Sequence, residues 1–252
     1  MFIPYVLEKT QQGERSYDLF TRLLNQDRIV LVTDEVTDAS MTVLIAELLY
    51  LNSLNHDPIH MYIMSPGGSC LDGFAALDIM NYIASPVYTY CIGYAASMGA
   101  ALLSNGEKGH RMILPNSQVM CHRSAGGSQG RIMDAKVSFE NWEELDQRLA
   151  ALIARNCGMT LDDYEKTVER DHWMWPETAL KFGIVDAIIR SEEDAKLPIL
   201  TSKDVDALKQ FSNEMFSGAN ATDPKILEAI KKAEKIAKDS KKNSRKRISQ
   251  LD

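Results

Sequence analysis

Residues 93–100 read GYAASMGA, with a single aliphatic hydroxyl, Ser97, among mostly small and apolar neighbours at the end of the stretch VYTYCIG. A serine oxygen can act as a nucleophile where a tight strand-to-helix turn exposes it and small neighbours admit a substrate backbone, as in the nucleophile elbow of hydrolases. The same small residues equally suit a close seam between a helix and a strand, and the stretch by itself leaves both readings open. A serine hydroxyl also needs a positioned imidazole to take its proton. Of His56, His60, His110, His122 and His172, only His122 passes from an apolar strand, VMCH, directly into a glycine-rich segment, SAGGSQG. A base in turn needs a carboxylate to hold its tautomer. Asp171, in VERDHWMWPE, has the right type, although an aspartate in an acidic stretch is more often a solvated surface residue. Finally, SPGGS (65–69) places two glycines between a strand and a helix, where free backbone N–H groups can face a developing negative charge. Each feature is weak alone. Together they supply nucleophile, base, orienting acid and anion-stabilising backbone, in the chain order Ser, His, Asp.

The elements that must position these residues follow from periodicity and turn chemistry. Short apolar runs at 28–34, 59–65, 87–93, 110–114 and 118–122 read as strands. Between them, helical spacing of Leu44, Ile45, Leu48 and Leu51, with Asp38 and Ser40 as cap candidates, predicts a helix from about residue 38. CLDGFAALDIMNYIA (70–84) predicts a second helix, closed by Ser85-Pro86, and SMGAALLSNG a short third one stopped by Gly106. Strands alternating with helix-length crossovers imply an α/β fold with a mainly parallel sheet covered by helices. A long helix is expected over about 132–156, with Val137, Trp142, Leu145, Leu149, Leu152 and Ile153 on one face and Gly158 as its cap. Thr160 opens another helix, and Pro176 a further one, ended by Gly183 before a strand IVDAII. Beyond about residue 192, amphipathic stretches at 202–216 and from Asp223 precede a charged end read as unfolded.

Composition narrows the function classes. The 252 residues are 45% hydrophobic, enough for a full core. With a formal charge of −7, nothing points to nucleic acid or an anionic membrane as the main partner. Charge is nonetheless uneven, because residues 221–252 carry ten Lys/Arg against five Asp/Glu. No apolar run approaches the ~20 residues of a bilayer span, and no signal-peptide pattern opens the chain. The widely spaced Cys70, Cys91, Cys121 and Cys157 show no metal-ligand spacing, which suits a reducing cytoplasm and no metal.

YIMSPGGS, GYAASMGAALLSNGEKGHRMILPNSQVMCHRSAGGSQG and VERDHWMWPETALKFGIVDAII together resemble the ClpP family, the proteolytic subunits of the Clp proteases. The resemblance runs over roughly residues 2–192. It implies a spiral β-α superhelical core of the ClpP/crotonase type, with the 132–156 helix protruding as a handle. It also implies Ser97 as nucleophile, His122 as general base and Asp171 as orienting carboxylate, with the Gly68 and Met98 N–H groups as the oxyanion hole. Gly126, Gly127 and Ser128 would lie beside a bound peptide as an added strand. Residues 1–18 would form an axial gate around the opening IPYVLEKTQQGER, which looks like the family's mature N-terminus and leaves no propeptide to remove. Two heptameric rings would stack into a fourteen-subunit barrel, with Arg170 at the ring-to-ring contacts. Tyr62, Tyr90, Met112 and Ile189 would dock a hexameric AAA+ unfoldase. That partner would consume the ATP, and this chain would need no cofactor.

Departures from the family pattern are also visible. Met64 stands for a usual asparagine, Tyr94 for a usual glutamine, and Arg123-Ser124 for a common Gln-Pro, so the substrate strand is expected to be shaped differently. His60 replaces a residue that is often aromatic, Trp173-Met174-Trp175 is bulky, and residues 193–252 form an extension without a family counterpart. The expected activity is serine endopeptidase cleavage of unfolded polypeptides inside a ring. The alternatives are a catalytically silent ring subunit and a crotonase-like acyl-CoA enzyme, which needs no Ser-His-Asp set.

Overall fold

The structure is a computed structural model that describes residues 3–10, 13–128, 130–191 and 194. The chain divides into two units, Met1–Ser191 and Glu192–Asp252. The amphipathic stretches expected at 202–216 and after Asp223 lie outside the described residues.

At the N-terminus β1 (Tyr5–Thr10) pairs antiparallel with β2 (Gly13–Asp18), and α1 (Leu19–Asp27) follows, capped by the Asp18 side chain on the Thr21 N–H. The central sheet is parallel in the order β3 (Ile29–Val32), β4 (Ile59–Ser65), β5 (Val87–Ala96), β6 (Arg111–Ile113) and β9 (Ala187–Ile188). Its crossovers are α2 (Asp38–Leu54), α3 (Cys70–Tyr82) and α4 (Met98–Ser104). Alternation along β4 explains the packing. Ile59, Met61 and Ile63 are fully buried against the helices, while His60 and Tyr62 face the other side. Leu44, Leu48 and Leu51 of α2 fill the same core, as the helical spacing required.

The sheet departs from a simple open one at β5, which runs three residues further than the sequence suggested. Its first half pairs with β6 (Thr89↔Arg111 to Cys91↔Ile113), and its second half with β7 (Gln118–Cys121) through Tyr94↔Gln118 to Ala96↔Met120. The two shorter strands therefore lie end to end along one edge of β5. Between the halves, Gly93 takes φ +67°, and the neighbouring β4 register shifts between Ile63 and Ser65. A bulge beside a left-handed residue bends the strand, which turns its second half toward β7. β8 (His172–Met174) then adds antiparallel to β7.

Several local expectations need correction. The cap of α2 is Thr37, whose side chain accepts the Ser40 N–H while the Ser40 hydroxyl accepts the Thr37 N–H. Ser40 thus serves three residues inside the cap, in a reciprocal box. α4 ends at Ser104 with Asn105 as its cap, directly before Gly106. The IVDAII strand is only Ala187–Ile188, because its partner β6 spans three residues. α5 (Ile132–Cys157) buries Leu149, Ala150, Ile153 and Ala154, but Val137 is exposed and Trp142 and Leu145 are half-buried. Its N-terminal half stands clear of the core, with Ile132, Met133 and Phe139 exposed. α6 (Leu161–Thr167) and α7 (Pro176–Phe182) follow, with Thr160 as cap and Pro176 in the first turn as expected. Among the described residues no helix is long and apolar enough to cross a membrane.

Candidate active site

Ser97 sits between β5 and α4, at the end of the strand that the bulge has turned. Its backbone is held at φ 54° and ψ −120°, in a region costly for a side chain with a Cβ. The Ser97 N–H donates to the Met120 carbonyl at 2.9 Å, and the Ser97 carbonyl accepts the N–H groups of Ala100 and Ala101. The turn is thereby tied to β7 on one side and to its own helix on the other. Both ties make the hydroxyl's position a property of the sheet.

The SPGGS loop packs directly under that turn. A methyl group on Gly67 would come within 2.6 Å of the Ala96 carbonyl oxygen and 2.7 Å of both the Met98 nitrogen and the Ser97 Cβ. Gly68 meets the Val36 carbonyl in the same way, at 2.3 Å. This close approach is what the two glycines supply. Val36 and Gly68 form a parallel bridge, in which the Val36 N–H donates to Gly67 and the Ser69 N–H donates to Val36. Those bonds use the flanking residues, so the Gly68 N–H points away from the bridge. Met98 is the first residue of α4, and its N–H has no intrahelical acceptor. Both proposed oxyanion donors therefore flank the Ser97 turn. Gly67→Ala is expected to spread the turn and lower peptide cleavage by roughly a hundredfold with secondary structure retained. Peptide kinetics beside circular dichroism check this, and near-normal turnover would refute it.

β7 delivers the histidine. Cys121 is its last residue, and His122 places Nε2 2.9 Å from the Ser97 Oγ. Its Nδ1 lies 3.5 Å from an Asp171 carboxylate oxygen, longer than a normal hydrogen bond, and that side chain is 65% exposed. Asp171 immediately precedes β8, which pairs with β7, so the Cys121↔His172 register brings the two residues together. A proton on Nδ1, facing the carboxylate, leaves Nε2 free to accept from the serine hydroxyl. A serine, a histidine and an aspartate far apart in sequence are thus brought into one row.

Residues 11–192 match the Clp protease family. The chain belongs to that family. It is a peptidase of the Clp type, from a family whose members oligomerise and work with Clp unfoldases. The acyl-CoA alternative falls away with this assignment.

Residues 122–128 belong to no helix or strand, and Ser124 to Gly127 are exposed beside the histidine. Between them and the start of α3 opens a cleft of about 580 Å³. Cys70 and Leu71 form one wall, and Phe139, Trp142 and Leu145 of α5 the other. Trp142, expected on the apolar face of α5, lines this cleft and meets Phe139 edge-on at 5.7 Å. Burial pushes the Cys70 thiol up, so it acts as an apolar wall at neutral pH. Burial likewise pushes Cys91 and Cys157 up to about 12 and raises Cys121, which favours the neutral thiol at each.

Tyr62, Tyr90 and Met112 fall on adjacent strands in register, Tyr62↔Tyr90↔Met112, with the two rings stacked at 4.6 Å. Tyr90, Met112 and Ile189 are buried and Tyr62 half-buried, and the Tyr90 hydroxyl lies 2.8 Å from His60 Nδ1 in a hydrogen bond. Tyr94 pairs with Gln118 and turns outward, and the bulky Trp173 and Trp175 are both exposed.

Proposed function

We propose that this Clp protease is a serine endopeptidase in which Ser97, His122 and Asp171 act together. The observation that carries this reading is the 2.9 Å contact between His122 Nε2 and Ser97 Oγ, with a carboxylate on the far ring nitrogen. Ser97 Oγ attacks the peptide carbonyl carbon as His122 Nε2 takes the hydroxyl proton, and the carbonyl oxygen becomes an oxyanion held by the Gly68 and Met98 N–H groups. Collapse breaks the C–N bond, and the imidazolium returns its proton to the leaving amine. Water, deprotonated by the same imidazole, then hydrolyses the acyl-serine. Nucleophile, base and anion site all come from this chain, so the reaction calls for no cofactor.

The segment through Gly126, Gly127 and Ser128, exposed at both glycines, offers its backbone to a peptide as an added strand. The 580 Å³ cleft beyond it takes a side chain of that peptide, its walls suiting an apolar one. In this reading two heptameric rings stack through α5 and the Arg170 region, and residues 1–18 gate the axial entry. A hexameric AAA+ unfoldase, which spends the ATP, docks at Tyr62, Tyr90, Met112 and Ile189. The four unpaired cysteines suit a reducing, cytoplasmic setting. The long His122–Asp171 contact favours one competitor, a ring subunit with little activity of its own. A fluorophosphonate probe should label Ser97 in assembled particles that also cleave a fluorogenic peptide. Particles of full mass that neither label nor cleave would establish the silent subunit instead.

A further inference from the structure

The residue after the histidine makes the densest ionic contact near the site, and nothing above uses it. We propose that Arg123 is a positioning residue that holds the His122–Ser128 segment in place by tying it to both α5 and α6. The proposal rests on His122 being the base and on residues 126–128 receiving the peptide.

Successive residues of an extended chain point to opposite sides, so with His122 turned to Ser97 the Arg123 side chain is directed away from it. Its Nε donates to Asp146 Oδ2 at 2.6 Å, and one terminal nitrogen pairs with the same carboxylate. The other terminal nitrogen reaches a Glu165 carboxylate oxygen at 3.0 Å. Asp146 closes the grip with its second oxygen, which accepts the Ser124 N–H at 2.7 Å. One carboxylate thus holds a side chain and the next backbone amide at once. Burial works to raise the Asp146 carboxyl, but the Arg123 and Ser124 hydrogen bonds outweigh it and hold it below its ordinary value. The tie is charged at neutral pH.

Its place in the fold gives it leverage. Residues 122–128 belong to no strand, so a backbone ladder does not set their course. α5 instead touches the segment twice on one face, at Asp146 and one turn earlier at Trp142. A methyl on Gly126 would come within 3.0 Å of the Trp142 ring, so the glycine backbone rests on the indole. Glu165 on α6 lies six residues before Asp171. A single guanidinium therefore links the chain that carries the base, the helix that lines the cleft and the helix that leads to the orienting carboxylate. Only a planar fork reaches both carboxylates together, which a lysine ammonium on its flexible stem does not reproduce.

The experiment compares full-length assembled Arg123→Gln, Arg123→Lys and Glu165→Gln proteins with wild type. Hydrogen exchange is read over residues 122–128, together with kcat and KM for a fluorogenic peptide and the fluorophosphonate labelling rate of Ser97. Both Arg123 variants should speed exchange in that segment and lower kcat by roughly tenfold or more, with lysine failing to rescue. Glu165→Gln, which frees only the α6 arm, should give a smaller effect in the same direction. Unchanged exchange, a lysine variant at wild-type rate, or faster exchange spread evenly over the domain with kcat intact would each overturn the proposal. If the wild type itself is not labelled, the serine mechanism falls, and the exchange of residues 122–128 still decides whether Arg123 holds them.

Discussion

Ser97→Ala is expected to lower peptide cleavage by about 10⁶-fold, because nucleophile and base act as one unit in a serine mechanism. His122→Ala should cost nearly as much, and the double variant little more, since a base without its nucleophile has nothing to deprotonate. Asp171→Asn should cost less than the ~10⁴-fold seen where the carboxylate is buried against the ring. Here the Asp171 side chain is 65% exposed and 3.5 Å from the imidazole, so its hold on the ring is looser than that of a buried carboxylate. The turn that presents Ser97 is held by backbone bonds to Met120, Ala100 and Ala101. Alanine keeps all of them, so assembly and thermal stability should not change. The measurement is kcat/KM for a fluorogenic peptide at matched particle mass, with wild-type contamination excluded by mass spectrometry. Cleavage by Ser97→Ala within tenfold of wild type would remove the hydroxyl from the mechanism. An Asp171→Asn loss as large as that of His122→Ala would mean the contact tightens on binding peptide.

The site was readable in the sequence where turn chemistry punctuates strands. SPGGS and GYAASMG each interrupt an apolar run with residues that permit close approach, and the structure brings Gly67 and Ser97 into contact. His122 was legible for the same reason, standing where an apolar strand gives way to glycines. Less was visible where a residue's role depends on a partner distant in sequence. Trp142 sits on a regular apolar stripe of α5, and a stripe reads alike whether it faces a core or a cleft. Arg123 looked like an isolated departure because Asp146 and Glu165 lie far along the chain and only the fold brings them together. The extension of β5 through Tyr94, Ala95 and Ala96 was hidden by its composition. Gly93 ends the β-branched run, and the small residues beyond it carry little strand preference. Its continuation comes from β7, which pairs with those three residues after a loop the sequence marks only as Pro115-Asn116-Ser117.

The largest loss of stability is expected from Asp186→Ala, far from the chemistry. Arg111 on β6 is only 1% exposed, and all five of its guanidinium N–H groups are used. Two go to the Asp186 carboxylate at 2.7 and 2.8 Å, and the others to the carbonyls of Ser104, Asn156 and Gly183, at the ends of α4, α5 and α7. One cation thus ties three helix termini to the sheet beneath the Ser97 strand. Without the carboxylate a charge stays buried with carbonyl partners alone, and such losses cost about 3–5 kcal/mol. Asp186→Asn keeps the shape and several hydrogen bonds, so it should cost less. The pH dependence separates charge from packing. Burial works to raise the Asp186 carboxyl, but Arg111 outweighs it and holds it below its ordinary value. A carboxyl whose folded value is depressed contributes its full stability above the unfolded value of about 3.9 and loses it as pH falls through the folded one. Urea unfolding at fixed protein concentration should therefore show wild type and Asp186→Asn well apart at neutral pH and converging in acid. A constant gap down to pH values below the carboxylate range would assign the difference to lost hydrogen-bond geometry. An Asp186→Ala protein within about 1 kcal/mol of wild type would show that Arg111 finds water once its partner is gone.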